Sequence, residues 1–173
     1  MRILSCGFLL GSCFFSLLAV GQSDLPRVAG GVFGSVGGEP VPIAVTASAG
    51  AYLEAARFRF RPGLEVRGTA GDLEGQVVLA GPRVSHTFFG GDLYAAALFG
   101  ANHILDQTGT KQISGVTSQV AFGVERNLGP FVRWRVIELN AGFFSGASGL
   151  QSFAVSTGIV LHFTKGAAAR NSR

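Results

Sequence analysis

The sequence predicts an all-β fold, an eight-stranded antiparallel up-and-down β-barrel, on three observations. After residue 21 no apolar run reaches the roughly eighteen residues of a membrane helix, and no 3.6-residue periodicity is sustained. The chain divides into segments of about ten residues, which are separated by clusters of Gly, Pro, Asp and Asn. Within the segments apolar side chains alternate with polar or small ones, as in FAVSTGIVLHF at 153–163.

Residues 1–21 are interpreted as a secretory signal peptide. Arg2 precedes an apolar run from Ile3 to Val20, and small residues around position 21 fit a cleavage site. The alternative is an uncleaved helical anchor. Cys6 and Cys13 both lie in this segment, so we expect no disulfide, thiolate chemistry or cysteine metal site in the mature chain.

The excess of basic over acidic residues comes from the two ends of the chain. The sequence has 14 Lys and Arg against 10 Asp and Glu, but Arg2 lies in the signal segment, and Lys165, Arg170 and Arg173 follow Phe163. Residues 22–163 therefore balance ten basic against ten acidic side chains. We expect no nucleic-acid partner, because no basic face remains.

The first four predicted strands occupy 27–37, 43–55, 60–70 and 74–88. GEPVP closes the first, a short basic turn around Arg57 and Arg59 precedes the third, and glycine with aspartate separates the third from the fourth. Pro62 and Pro82 lie inside predicted strands, which indicates bulges or unpaired positions.

The last four predicted strands occupy 92–104, 113–125, 131–144 and 150–163, with NLGP as the tight turn before the seventh. Connections of a few residues are typical of a meander, in which each strand pairs with the next. An even strand number lets the last strand close on the first and leaves no open edge.

The polar face of the strands indicates which side of the barrel is apolar. In the third strand Leu64 and Val66 oppose Glu65 and Arg67, and in the sixth and seventh strands apolar residues oppose glutamates and small residues. Small residues and paired charges suit the narrow lumen of eight strands, so we expect the apolar face to meet lipid in a transmembrane barrel. The alternative is a soluble lipocalin-like carrier with an apolar interior.

Two arginines conflict with this pattern. If Glu138 points inward, strict alternation turns Arg133 and Arg135 outward, where a mid-bilayer arginine costs about 2–4 kcal/mol. We expect them to lie at the rim near NLGP and reach water; a bulge that reverses the register is the alternative.

Charged residues on the inward face form the candidate site. We expect a lumenal charge network of Glu65, Arg67, Arg83, Glu125 and Glu138. Its members must pair because an unpaired buried charge is costly. The favoured interpretation is a plug that stabilises the barrel, and the alternative is a proton or ion path.

The sequence contains little that indicates catalysis. Ser85 and His86 are adjacent but would point to opposite faces of a strand, and His103 and His162 lack companions at metal-ligand spacing. We therefore predict no enzyme activity, catalytic residue, cofactor or metal. A barrel hydrolase that modifies lipid A through Ser85 or His86 is the remaining enzymatic alternative.

The closing strand, WRVIELNAGFF at 134–144 and LAGPRV at 79–84 resemble the OmpA/OmpX-like family of small eight-stranded outer-membrane β-barrels of Gram-negative bacteria. The resemblance covers residues 22–163 as a single barrel domain. It implies a cell outer membrane location, contact with outer-membrane lipid and lipopolysaccharide, a monomeric state, and periplasmic chaperones during biogenesis.

In that family the barrel-assembly machinery reads a terminal strand that ends in Phe. The matching positions here are Phe153, Val155, Ile159, Leu161 and Phe163. Residues 164–173 depart from the pattern and are interpreted as a disordered periplasmic tail. With a periplasmic N-terminus, the outer loops are all short, which favours a structural or membrane-integrity role over ligand capture.

Overall fold

The computed structural model describes residues 28–40, 43–56, 58–71, 75–105, 112–144 and 151–165. Eight strands make up nearly all of these ranges. They are β1 (Val28–Pro40), β2 (Ile43–Ala55), β3 (Phe60–Gly71), β4 (Gly75–Phe88), β5 (Gly91–Leu105), β6 (Gln112–Asn127), β7 (Val132–Phe144) and β8 (Gln151–Lys165). No helix within the described ranges has the length and apolar character to cross a bilayer.

The strands close into one antiparallel barrel in sequence order, which confirms the predicted fold class. β8 pairs with β1 from Val28 opposite Lys165 to Gly38 opposite Val155. Closure gives the backbone of each strand a partner on both sides, as a strand in hydrocarbon requires. β8 continues two residues past the predicted end at Phe163, and the proposed signal peptide and residues 166–173 lie outside the described residues.

Alternation along each strand separates an apolar outside from a polar inside. Leu64 is 66% exposed, whereas the next residue, Glu65, is 0% exposed. The exposed large side chains include Val32, Val78, Phe99, Phe122, Leu139, Phe153, Ile159 and Leu161. An apolar outer band around a polar interior is the arrangement of membrane-spanning barrels.

The two ends of the barrel differ. The terminal end, which holds Val28 and Lys165, also carries the β2–β3, β4–β5 and β6–β7 turns. Its β4–β5 turn consists of Phe89 and Gly90, with φ angles of 45° and 78°. The loop end carries the other four connections, which are two to six residues long.

Pro62 and Pro82 each pair with a neighbouring strand on one side only. The register between β3 and β4 does not shift at either proline. Pro62 pairs with Val84 but lies one residue beyond the β2–β3 ladder, which ends at Gly63. Pro82 pairs with Leu64, and the β4–β5 ladder skips it. Each proline therefore lacks a ladder on one side, where its missing N–H costs nothing.

β7 contains the bulge that the sequence offered only as an alternative. The register shifts between Arg135 and Glu138 on the β8 side, and between Val124 and Glu125 on the β6 side. Both Arg135 and Glu138 are fully buried as a result. The expectation that Arg135 points outward at the rim was wrong, because the extra residue reverses the facing of the strand.

The bulge leaves a backbone carbonyl without a ladder partner, and a side chain on the apolar outer face is its hydrogen-bond donor. Thr157 on β8 donates its hydroxyl to the Arg135 carbonyl oxygen at 2.9 Å. The indole N–H of Trp134 donates in turn to the Thr157 hydroxyl oxygen at 3.0 Å. This explains a polar residue on the otherwise apolar outer face of β8, since an unpaired carbonyl in lipid would cost several kcal/mol.

Candidate functional site

Ten charged side chains inside the barrel form ion pairs with one another in the described ranges, five of each sign. We call this set the charged lumen, and its members come from the six strands β2 to β7. The set is Arg61, Arg67, Arg83, Arg133 and Arg135 with Glu54, Glu65, Asp92, Glu125 and Glu138. Equal numbers allow every charge an opposite partner, which is the condition for placing charges away from water.

Six of these side chains form a closed ring in which arginines and glutamates alternate. We call it the six-membered ring. Each ion pair spans 2.5 to 3.1 Å, and each side chain is no more than 1% exposed. The order is Arg83, Glu65, Arg67, Glu138, Arg135, Glu125 and back to Arg83. Every arginine therefore bridges two carboxylates, and every carboxylate bridges two arginines.

Glu138 accepts the largest number of hydrogen bonds in the ring. Arg67 binds it through both terminal nitrogens, at 2.9 and 2.7 Å, in a bidentate arrangement. Arg135 donates at 2.9 Å. Neutral donors complete its shell: Asn140 at 3.1 Å, Ser156 at 3.2 Å and the Tyr94 hydroxyl.

Arg83 connects the ring to a further carboxylate. Its Nη1 lies 2.8 Å from Glu65 and its Nη2 lies 3.1 Å from Glu125. Its Nε donates to Glu54 at 2.7 Å, and Glu54 also accepts the Ser85 hydroxyl at 2.8 Å. One guanidinium thus uses all three of its nitrogens on three different carboxylates.

Three lumenal aromatic rings pack against the guanidinium planes. The Arg83 Cζ atom lies 4.0 Å from the centre of the Tyr52 ring and 3.9 Å from that of Tyr94. Arg135 lies 4.8 Å from the Tyr94 centre and 3.9 Å from the Phe33 centre. Such cation–π contacts strengthen when they are removed from water.

Each of these aromatic residues lies directly across the ladder from a glycine. The pairs are Phe33 with Gly50, Tyr52 with Gly31, and Tyr94 with Gly123. A Cβ on any of these glycines would fall 2.5 to 2.9 Å from a carbon of the opposing ring. The glycines therefore create the space in which the rings lie flat over the strands.

A second charged layer lies toward the terminal end. Asp92 pairs with Arg61 at 2.6 Å and with Arg133. Arg61 also donates to the Ser85 hydroxyl at 3.0 Å. Arg133 is thus directed into the lumen, where its partner is a carboxylate, and the expectation that it faces outward was wrong for the same reason as for Arg135.

The structure brings together all five residues proposed for the lumenal charge network, and they belong to the six-membered ring. Arg135, the sixth member, was not predicted, because alternation counted from Glu138 gives it the wrong face. Glu54, Asp92 and the three aromatic residues were not predicted either. Their positions were available from alternation, because each lies two or four residues from another inward position on its own strand.

The remaining candidate residues are separated by the barrel wall or lie on the outside. Ser85 is buried in the lumen, whereas His86 is half-exposed on the outer face and its ring packs 4.8 Å from Phe60. His162 is buried inside, and the side chain of His103 is outside the described residues. The assembly-signal residues of β8 are on the outer face: Phe153, Val155, Ile159, Leu161 and Phe163. Their assembly role stays a prediction.

The chemistry available to the charged lumen is electrostatic. Its arginines keep their charge at any ordinary pH, and its carboxylates are occupied by guanidinium donors. Within the described ranges no group of three or more His, Cys, Asp or Glu side chains is placed to hold a metal ion. The arrangement supports a rigid plug in which opposite charges neutralise each other.

No protein-family model and no curated protein sequence matches the chain. Its structure is similar to a designed transmembrane β-barrel, at a TM-score of 0.50 and 15% identity over 83% of this chain and 100% of that one. It is also similar to Neisserial surface protein A, at a TM-score of 0.50 and 13% identity over 79% of this chain and 96% of that one. The fold is that of an eight-stranded outer-membrane β-barrel. The exposed apolar side chains form the outer face of this barrel, and the six-membered ring lies in its lumen.

Proposed function

We propose that this membrane barrel is an integral protein of the outer membrane with a structural role in membrane integrity, and that it is neither an enzyme nor an uptake receptor. The observation that carries the proposal is the six-membered ring. A lumen crossed by a closed ring of ion pairs and stacked aromatics favours a permanent plug over a solute path.

The connections at the loop end also support a structural role. Consecutive strands there are separated by at most six residues. Ligand-binding barrels carry their binding surfaces on long extracellular loops. With a periplasmic N-terminus, this barrel presents only short connections to the outside, so its principal contacts are lipid and lipopolysaccharide. The barrel-assembly machinery and periplasmic chaperones would act on it during biogenesis, and the folded form would be a monomer.

The carrier alternative requires the opposite arrangement of side chains. A lipocalin-like protein would place Phe122, Leu139 and Phe153 around an internal ligand, with Glu65 and Glu138 in water. Here the three apolar side chains are 40 to 56% exposed and both glutamates are 0% exposed. We therefore do not propose a carrier.

Three measurements test the proposal. Cell fractionation should place the protein in the sarkosyl-insoluble outer membrane, with heat-modifiable migration on gels. Deletion of the gene should increase the entry of a large antibiotic such as vancomycin, and the wild-type gene should restore the barrier. Purified protein in planar bilayers should give no conductance steps. Discrete conductance, or a growth defect relieved by one supplied nutrient, would contradict a structural role.

A further inference from the structure

The lipid-facing surface is interrupted by a groove of about 590 Å³ between β3 and β7. Ala95 lies between Val84 and Phe122 on the neighbouring strands, and its small side chain forms the floor. The larger side chains around it form the walls: Phe60, Leu93, Phe122, Ile137 and Leu139. This volume is within the range of about 300–1,000 Å³ that is typical of small-molecule sites.

The mouth of the groove toward the terminal end is basic. His86 lines it, and the exposed Arg59 donates from Nε to His86 Nε2 at 3.4 Å. On the other side Arg126 is exposed and follows Val124, a lining residue, by two positions on β6. Two residues of a strand span about 7 Å, so Arg126 lies just beyond the mouth.

These two arginines differ from the five in the lumen because neither forms an ion pair with a described residue. Every acidic side chain whose burial the structure describes is turned into the barrel: Glu39, Glu54, Glu65, Asp92, Glu125 and Glu138. Among the described residues, the outer face at this end therefore presents positive charge without an acidic counter-ion. An anion from the surroundings is the complementary partner.

We propose that this groove binds one anionic phospholipid, with an acyl chain over Ala95 and the phosphate between Arg59, His86 and Arg126. The proposal rests on the membrane location proposed above. An acyl chain fits an apolar groove open to the bilayer, and the flanking arginines select a headgroup with net negative charge. One arginine near a membrane surface favours anionic lipid by about fivefold.

The only tryptophan of the chain reports on this site. Trp134 lies directly opposite Arg126 in the β6–β7 ladder, on the outer face. The purified barrel is reconstituted into vesicles that contain either brominated phosphatidylglycerol or brominated phosphatidylcholine as the quencher. We expect phosphatidylglycerol to quench Trp134 at a several-fold lower fraction of total lipid.

Two sets of variants separate the headgroup from the acyl chain. Arg59→Gln with Arg126→Gln should abolish the preference for phosphatidylglycerol while leaving quenching by phosphatidylcholine unchanged. Ala95→Phe should fill the groove and reduce the preference, whereas Ala101→Phe, an outward position farther along the same strand, should not. Arg59 and Arg126 are exposed and take no part in the ion pairs of the lumen, so we expect the double variant to fold. It therefore tests the headgroup site even if Ala95→Phe does not insert.

Equal quenching by the two lipids in the wild-type barrel would overturn the phospholipid site. So would equal behaviour of Ala95→Phe and Ala101→Phe, because the groove would then have no role. Heat-modifiable migration of each reconstituted sample on a gel shows whether that variant has folded. A wild-type protein that never inserts into vesicles would contradict the proposed membrane function itself, which is a distinct result.

Discussion

Arg135 Nη1 lies 2.9 Å from Glu138 Oε2, although the two residues are three positions apart on one strand. Regular alternation would place them on opposite sides of the barrel wall. The β7 bulge brings both side chains inward, and their contact closes the six-membered ring. A local irregularity in one strand thus completes an electrostatic structure to which four strands contribute.

The ring predicts a large effect of removing one charge. Glu138→Gln keeps the size of the side chain but leaves Arg67 and Arg135 short of a counter-charge. Breaking a buried ion pair in this way costs about 3–5 kcal/mol. We expect a loss of that size in the free energy of unfolding, measured by urea titration of the barrel in lipid vesicles.

A double variant provides the control for this prediction. Glu138→Gln with Arg135→Gln removes one charge of each sign, so its cost should be smaller than the sum of the two single variants. Additive costs would mean that Arg135 and Glu138 do not stabilise each other. A Glu138→Gln barrel as stable as the wild type would contradict the central place of Glu138 in the ring.

The glycine–aromatic pairs predict a steric effect. A Cβ at Gly123 would lie 2.5 Å from Cζ of Tyr94. That ring cannot easily withdraw because Arg83 and Arg135 pack against it. Gly123→Ala should therefore lower stability by about 1–3 kcal/mol. Gly34→Ala is the matched control, since a Cβ there meets nothing within 4 Å. Equal effects at both positions would contradict the packing explanation.

The hydroxyl of Thr157 predicts an effect on the bulge. Thr157→Val keeps the shape but removes the donor to the Arg135 carbonyl, which leaves that oxygen unpaired against lipid. The expected cost is about 1–3 kcal/mol in unfolding free energy. Thr157→Ser keeps the hydroxyl and should be closer to the wild type. If valine and serine behave alike, the hydroxyl does not support the bulge.

Single cysteines can test the direction of the apolar face, because the sequence has no cysteine after residue 13. Val155 is 39% exposed on β8, whereas the adjacent Ala154 is 7% exposed. In intact membranes Val155→Cys should react with a thiol probe confined to the bilayer, and Ala154→Cys should not. Reaction at Ala154→Cys alone would reverse the assignment of inside and outside.

The terminal strand predicts an effect on assembly. Phe163→Ala should reduce the fraction of protein that reaches the heat-modifiable form in cells, because Phe163 is the aromatic residue at the end of β8. Phe153→Ala, on the same outer face near the start of that strand, should affect assembly less. Equal assembly of the two variants would argue against Phe163 as the terminal signal.

Alternation was sufficient to predict much of this protein from its sequence. It placed eight strands within three residues of their observed ends and assigned Glu65 and Leu64 to opposite faces. It works because side chains of a strand project alternately to the two sides, and a barrel with lipid outside requires opposite chemistry on them. The same alternation along β2 and β5 places Glu54 and Asp92 on the inward face, although neither was predicted there.

The sequence by itself determined the strand pattern, the closed barrel and an apolar outer face, since these depend on the local order of apolar and polar residues. Only the tertiary structure decided how the charges pair. The β7 bulge has a cross-strand hydrogen-bond donor in Thr157, and the ring depends on which side chains meet across the lumen. The ring contact between Arg67 and Glu138 joins residues 71 positions apart, and no local pattern encodes such a pairing.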